Sequence, residues 1–151
     1  MLLEKRLEGT RLLAMATTLQ TLGELNAIKE LVVKYHHDWS LDPERVSAAF
    51  APNPNIMYLG DQLAGVEALL ERAKASRGLA TCYRYVGNHT ANVTGSTAKA
   101  ETLVLEYLRR GQVDTVSTIQ YSDELTKVDG HWLFRSQVVV TKWARTDPVT
   151  S

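Results

Sequence analysis

The 151 residues are 44% hydrophobic and 23% charged, and 17 Lys plus Arg against 17 Asp plus Glu leave no formal net charge. That composition describes a soluble globular chain with one core, and it removes the electrostatic case for nucleic acid or an anionic membrane as partner. Cys82 is the only cysteine, which excludes an internal disulfide and a cysteine-based zinc cluster and makes a reducing cytoplasm the simplest home.

No apolar run approaches the ~20 residues of a membrane span. The opening "MLLEKRLEGTRLLAMATTL" sets Glu4 and Glu8 among Lys5, Arg6 and Arg11 and has only a short apolar patch, which argues against a signal peptide. Residues 1–18 read as an N-terminal extension, partly helical, with Met15 as an alternative start. Apolar side chains at 22, 25, 28, 31, 32, 35 and 39 then have the spacing of an amphipathic helix. At ~100° per residue, Tyr35 and Trp39 fall at the centre of its stripe, His36 and Asp38 on the margins, and His37 on the far side. Asp42 as N-cap and Pro43 at the first helical position open a second, short helix. "APNPN" breaks the chain, "IMYLGDQLAG" reads as a hairpin-like piece, and a third helix covers roughly 64–77.

From residue 80 the chain changes character. Segments 80–93, 97–109, 113–128 and 131–144 are rich in Thr, Val, Tyr, Leu and Ile, and Asp129-Gly130 is the strongest hairpin signal. Helices first and long strands afterwards predict an α+β fold, with three N-terminal helices packed on a strongly curved, mainly antiparallel sheet. The domain is placed at 19–145 and a C-terminal tail at 146–151. Alternation puts Ile119, Tyr121, Asp123 and Leu125 on one face. It puts Val138 and Val140 on one side of the last strand, with Val139 and Trp143 on the other. A strand apolar on both sides has two surfaces to hide, so self-association through the sheet, as a homodimer or higher, is expected.

The strings "AIKELVVKYHHDW", "YRYVGNHTANVTGSTAKAETLVLEYL" and "YSDELTKVDGHWLFRSQVVVTKW" together resemble the SnoaL-like branch of the nuclear-transport-factor-2-like superfamily over about residues 22–143. The resemblance implies a cone-shaped α+β fold shared by polyketide cyclases, small dehydratases and many bacterial proteins. It also implies a Tyr and an Asp near the end of the first helix and a His in an "H-x-x-x-N" strand. Tyr35 and Asn88 match that pattern. Arg84 stands at the His position, Ser40 at the usual Asp spacing, and Lys142 where relatives often carry an Asp. His89 follows Asn88 and faces away from Arg84 unless a bulge intervenes near Gly87.

What such a pocket supports is proton transfer beside a carbonyl, or loss of water from the neighbouring carbon. A carboxylate in an apolar pocket gains a pKa that suits a base near neutrality. Asp38 is the candidate base, with Tyr35 and His89 beside it. Arg84, Asn88, Trp39, Tyr121 and Asp123 are candidate substrate-binding residues. Each has a plainer alternative: core packing for Tyr35 and Trp39, a cross-strand ion pair with Glu101 or Glu106 for Arg84, and a surface or interface position for His89. No phosphate loop, nucleophile elbow or converging metal ligands are present, so no cofactor or metal is expected. The expected function is a cytoplasmic, cofactor-independent isomerase, cyclase or dehydratase of a hydrophobic carbonyl compound. The alternatives are a non-catalytic ligand-binding or dimerisation module, or an oxygenase subunit.

Overall fold

A computed structural model describes residues 1–78 and 80–149; residue 79, at the junction of the third helix and the first long strand, and the last two residues of the expected tail lie outside the described residues. The order is helix α1 (Leu2–Leu41), a 3-10 helix (Pro43–Ala49), strands β1 (Phe50–Tyr58) and β2 (Asp61–Leu63), helix α2 (Gly65–Gly78), then β3 (Ala80–Thr94), β4 (Thr97–Arg110), β5 (Val113–Val128) and β6 (His131–Pro148). The strands form one sheet in the order β2-β1-β6-β5-β4-β3. All neighbours are antiparallel except β1 and β6, which run parallel. The helices lie against one face, so the fold is α+β with an open, curved, mixed sheet.

The first helix is longer than the spacing predicts. It has 40 residues, about 60 Å at the α-helical rise, and residues 1–23 are exposed along their whole length. Thr10, Thr17, Thr18 and Thr21 satisfy their hydroxyls on carbonyls four residues back, at 2.9–3.0 Å, sharing acceptors that also serve the helix ladder. Ile28, Val32, Tyr35 and Trp39 are at most 1% exposed, each burial contributing roughly 1.5–3 kcal/mol. Glu24 anchors the start of this buried half by accepting from Lys127 Nζ and Trp132 Nε1 on the β5–β6 hairpin. Because nothing before Gly23 is buried, a chain starting at Met15 should keep the thermal midpoint of the full chain in a calorimetric comparison. A clear drop would show that the overhanging turns pack in solution.

The helix stops where Pro43 disfavours helical geometry in its predecessor; Asp42 takes φ −148° and ψ 73°. Its carboxylate makes no capping bond and pairs with Arg45 Nε at 2.9 Å instead. "APNPN" does not break the chain. It lies within β1, where Asn53 adopts φ 53° and the register shifts between Phe50 and Asn55. A bulge absorbs two prolines that a regular ladder rejects. Asp129 and Gly130 have φ 49° and 80°, the signs a type I′ hairpin turn requires.

Bulges also decide facing on β6. Register shifts between Glu124 and Leu125 and between Thr118 and Ile119 bury Trp132, Phe134, Gln137 and Val139 while leaving Val138, Val140 and Trp143 exposed. Trp143 therefore joins Val138 and Val140 on the outer face, not Val139 as simple alternation predicts. No helix among the described residues is long and apolar enough to cross a membrane.

Candidate active site

The cone's interior is organised around Arg84, whose side chain has no solvent exposure. Its Nε donates to Glu106 Oε2 at 2.7 Å, directly across β3–β4, and its Nη1 donates to the Tyr121 hydroxyl at 2.7 Å. Nη1 also lies 3.3 Å from His36 Nδ1, and Nη2 lies 3.5 Å from the Tyr58 hydroxyl. A guanidinium has only donors, so Nδ1 of His36 is the acceptor and carries no proton. Burial, and then the Arg84 charge, push the His36 pKa well below its ordinary value. The guanidinium stacks over the Trp39 ring at 4.0 Å, and Trp39 in turn stacks on Tyr58. The backbone N–H of Arg84 donates to Ser40 Oγ at 3.1 Å. The two positions where the resemblance implies His and Asp thus hold Arg84 and Ser40, joined by a hydrogen bond.

Asp123 lies further along the same inner face. It is 3% exposed, and Oδ1 has no hydrogen-bond partner among the described residues. Its Cα partner on β4 is Ala100, beyond which β3 sets Ala91, so methyl groups border the carboxyl on that side. Burial raises its pKa to about 7; Gln137 opposes the rise and the Glu101 charge adds to it. On the other side its Cα partner is Gln137, fully buried, whose Nε2 makes no hydrogen bond of ordinary geometry among the described residues. Gln137 Oε1 accepts from the Tyr35 hydroxyl at 3.1 Å. The buried acceptor and the buried donor thus sit on paired residues without a hydrogen bond of ordinary geometry between them, an arrangement that water or a ligand's polar atom would complete.

The other candidates fall on either side of this line. Asp38 is buried, but its carboxylate pairs with Lys34 Nζ and lies 3.6 Å from His37 Nδ1; both of those side chains are largely exposed. Its carboxylate is thus engaged by neighbours on its own helix. A bulge between Val86 and His89 does intervene and brings His89 onto the same face as Arg84. There His89 Nδ1 meets Thr102 Oγ1 at 2.9 Å, and Nε2 is buried without a partner. Burial, then the Lys29 charge, lower its pKa. The same bulge leaves Asn88 exposed among outer-face residues. Gly87 suits it because a Cβ there would meet the Leu103 carbonyl oxygen at 3.1 Å.

Arg84 takes the ion-pair alternative, with Glu106 as the partner. Tyr35, Trp39 and Tyr121 are both core packing and part of the polar cluster: the Tyr35 ring lies 5.3–6.3 Å from Trp39, Phe50, Tyr121 and Phe134. Cys82 is pushed up to about 11 by burial, then by Glu106, and stays a thiol. Sequence reasoning missed Gln137 and Tyr58, since their facing depends on the β6 bulges and on a strand hidden behind prolines. A cleft of about 430 Å³ opens between the last turns of α1 and edge strand β3, with His36, Ser40 and Arg84 at its floor and Val33, Tyr83 and Tyr85 on its walls. Among the described residues no group of three His, Cys, Asp or Glu is placed to hold a metal ion.

Comparison with known proteins agrees with this architecture. No curated protein matches the sequence. A provisionally assigned scytalone dehydratase from Novosphingobium aromaticivorans superposes with a TM-score of 0.77 at 23% identity, over 89% of this chain and 94% of that one. A hexachlorocyclohexane dehydrochlorinase, LinA type 2, gives 0.76 at 17% identity, over 89% and 94%. An NTF2-like protein of cystatin-like fold from Novosphingobium aromaticivorans gives 0.73 at 18%, over 85% and 88%. At such identities the superpositions establish the fold. A model of the SnoaL-like domain matches residues 20–137, and the chain belongs to that family, within the nuclear-transport-factor-2-like superfamily.

Proposed function

We propose that this protein is a cofactor-independent small-molecule enzyme, an isomerase, cyclase or dehydratase, that moves a proton on a hydrophobic, carbonyl-bearing substrate with Asp123 as the base. The observation that carries this reading is the buried Asp123 carboxyl, with a pKa of about 7 and one oxygen free of partners. A base of that pKa is half-ionised near neutrality, where proton abstraction and return are both efficient. Gln137 Nε2, on the paired strand residue and without a hydrogen bond of ordinary geometry among the described residues, is the donor for the oxygen on which negative charge develops. Tyr35, donating to the other end of that carboxamide, holds its orientation. Arg84 is given no direct part, because four of its five N–H donors are engaged by Glu106, Tyr121, His36 and Tyr58. The dehydratase and dehydrochlorinase named among the structural neighbours are consistent with elimination or proton-transfer chemistry on this fold.

The second reading is a non-catalytic ligand-binding module. What favours it is the paired, enclosed Arg84 at the position where the resemblance implies a His. Deuterium exchange separates the two. Planar ketones and enones that raise the thermal midpoint are incubated with protein in D2O, and exchange at the carbon beside the carbonyl is followed by NMR. Exchange that is lost in Asp123→Asn and kept in Asp38→Asn is the expected result. Stabilising ligands that never exchange, or exchange that survives Asp123→Asn, would hand the site to the binding module or to another base.

A further inference from the structure

Of the four buried side-chain polar atoms that make no hydrogen bond of ordinary geometry among the described residues, three share the inner face of the sheet: His89 Nε2, Asp123 Oδ1 and Gln137 Nε2. The register sets them on two adjacent rows. Ala91, Ala100, Asp123 and Gln137 make one, and His89, Thr102 and Tyr121 make the next. Strand spacing and rise put the Cα atoms of His89 and Asp123 about 12 Å apart, and Ala91 and Ala100 give the floor between them no more than methyl groups. Asp123 and Gln137 are taken up by the proton transfer proposed above, and His89 is not.

The partner of His89 assigns its ring proton. The Thr102 hydroxyl is 1% exposed, and its side-chain bond among the described residues is the 2.9 Å contact with His89 Nδ1. A hydroxyl has a proton to donate, and Nδ1 is the acceptor it meets, so Nε2 carries the imidazole proton. His89 thus presents an unmatched N–H donor to the interior.

An unmatched cation stands beside it. Ser40 and His36 of α1 both meet Arg84 of β3, and Val33 lines one cleft with Val86, so α1 and β3 run antiparallel along this seam. Lys29 lies about two helical turns before His36 on the same face, which sets it at His89; its charge adds to burial in lowering the His89 pKa. Lys29 is exposed and forms no ion pair among the described residues. The interior also meets the surface here: His89, Ala91 and Val93 on β3 are half-buried, while Ala98, Ala100 and Thr102 behind them on β4 are buried. An N–H donor and an ammonium require an anionic oxygen. One donor and one cation suit a monoanionic carboxylate, whereas a phosphate dianion has more oxygens and charge than they can match.

We propose that the Lys29–His89 seam binds a carboxylate, and that the substrate is an oxo acid whose ketone reaches Asp123 and Gln137 across the Ala91–Ala100 floor. The inference rests on the reading of Asp123 as the base and names the far end of the same substrate. Between its two oxygen functions that substrate is apolar, to match the methyl groups beneath it.

Isothermal titration calorimetry tests this with the ω-benzoyl derivatives of propanoate, butanoate and pentanoate, each against its methyl ester. For at least one chain length the acid should bind wild type roughly 30-fold more tightly than the ester, and the difference should shrink as salt rises. Lys29→Gln should remove that salt dependence and weaken the acid about 10-fold, leaving the ester unchanged. His89→Leu should also weaken the acid about 10-fold, and His89→Gln, which keeps a donor, should restore most of the loss. Lys29 is exposed, so Lys29→Gln decides the question even where His89→Leu does not fold by circular dichroism. No binding of any of the three acids at millimolar concentration, esters held as tightly as acids, or an acid preference that survives Lys29→Gln would overturn the proposal. Asp123→Asn should keep the acid preference and lose only the deuterium exchange, so a wrong base and a wrong carboxylate site fail in different assays.

Discussion

Replacing Arg84 with Met should lower the unfolding free energy by about 3–5 kcal/mol, measured by urea denaturation near neutral pH. The loss comes mainly from the groups that lose their partner. Glu106, whose side chain is 13% exposed, would hold an unpaired carboxylate in the wall of the core, and the Tyr58 and Tyr121 hydroxyls and His36 Nδ1 would lose their donor. Removing the carboxylate as well, in Arg84→Met/Glu106→Leu, should recover much of the loss, because a buried pair replaced by apolar groups of similar size is often neutral. A single variant within about 1 kcal/mol of wild type would mean that water reaches Glu106. A double variant no better than the single one would place the cost in the packing of Trp39 and Tyr58 against the guanidinium.

Asp123→Asn should make the protein more stable in alkaline buffer while slowing proton transfer. The carboxyl is raised by burial from its ordinary 3.8 to about 7, so the folded protein holds this proton more tightly than the unfolded chain. That contribution is full below about pH 4 and is lost as pH rises through about 7, and the difference of about three pKa units amounts to roughly 4 kcal/mol. Asparagine mimics the neutral acid and does not ionise. Denaturation curves of the two proteins should nearly coincide at about pH 4, draw apart between about pH 4 and 7 and stay fully separated above, with the variant the more stable. His36 and His89, both shifted down, contribute in the opposite sense in acid, and they are common to both proteins and cancel in the comparison. Loss of the base should slow proton abstraction by about 10²–10⁴-fold. In wild type the rate should rise with pH through about 7, as the carboxylate forms. Parallel stability curves would show that Asp123 is already ionised in the folded state and would remove the basis for its catalytic role. A gain in stability matched by a loss of activity is the usual mark of a strained functional group.

The elements themselves were legible because they are written locally. The 3.6-residue stripe placed Tyr35 and Trp39 inward and His37 outward, as observed. The Asp-Gly pair marked the β5–β6 turn, and the limits of the four long strands fell within a few residues of those found. Asp42-Pro43 ended one helix and began the next. The first strand was hidden for an equally local reason: two prolines and an Asn read as a break, and only a bulge and pairing with β6, some 80 residues away, allow a strand to pass through them.

Function-bearing contacts were another matter. Arg84, Asp123, Tyr121 and His89 could all be named from the chain, but their partners could not, because each bulge inverts the facing of the residues beyond it. One bulge brings His89 onto the face that carries Arg84 and turns Asn88 out; another moves Trp143 to the outer face. The pairing of Tyr35 with Gln137 joins residues 102 apart, and that of Glu24 with Trp132 spans 108. The class of fold and the set of polar groups available to the interior could be read from the order of residues alone, since composition, periodicity and turn chemistry act over a few positions; the family came from the resemblance of three strings to known members. Which carboxylate is buried without a partner, which is paired, and that the cation at the family's His position is locked to Glu106 emerged only from the folded arrangement. Those outcomes depend on desolvation and charge proximity, and both are properties of where distant segments meet.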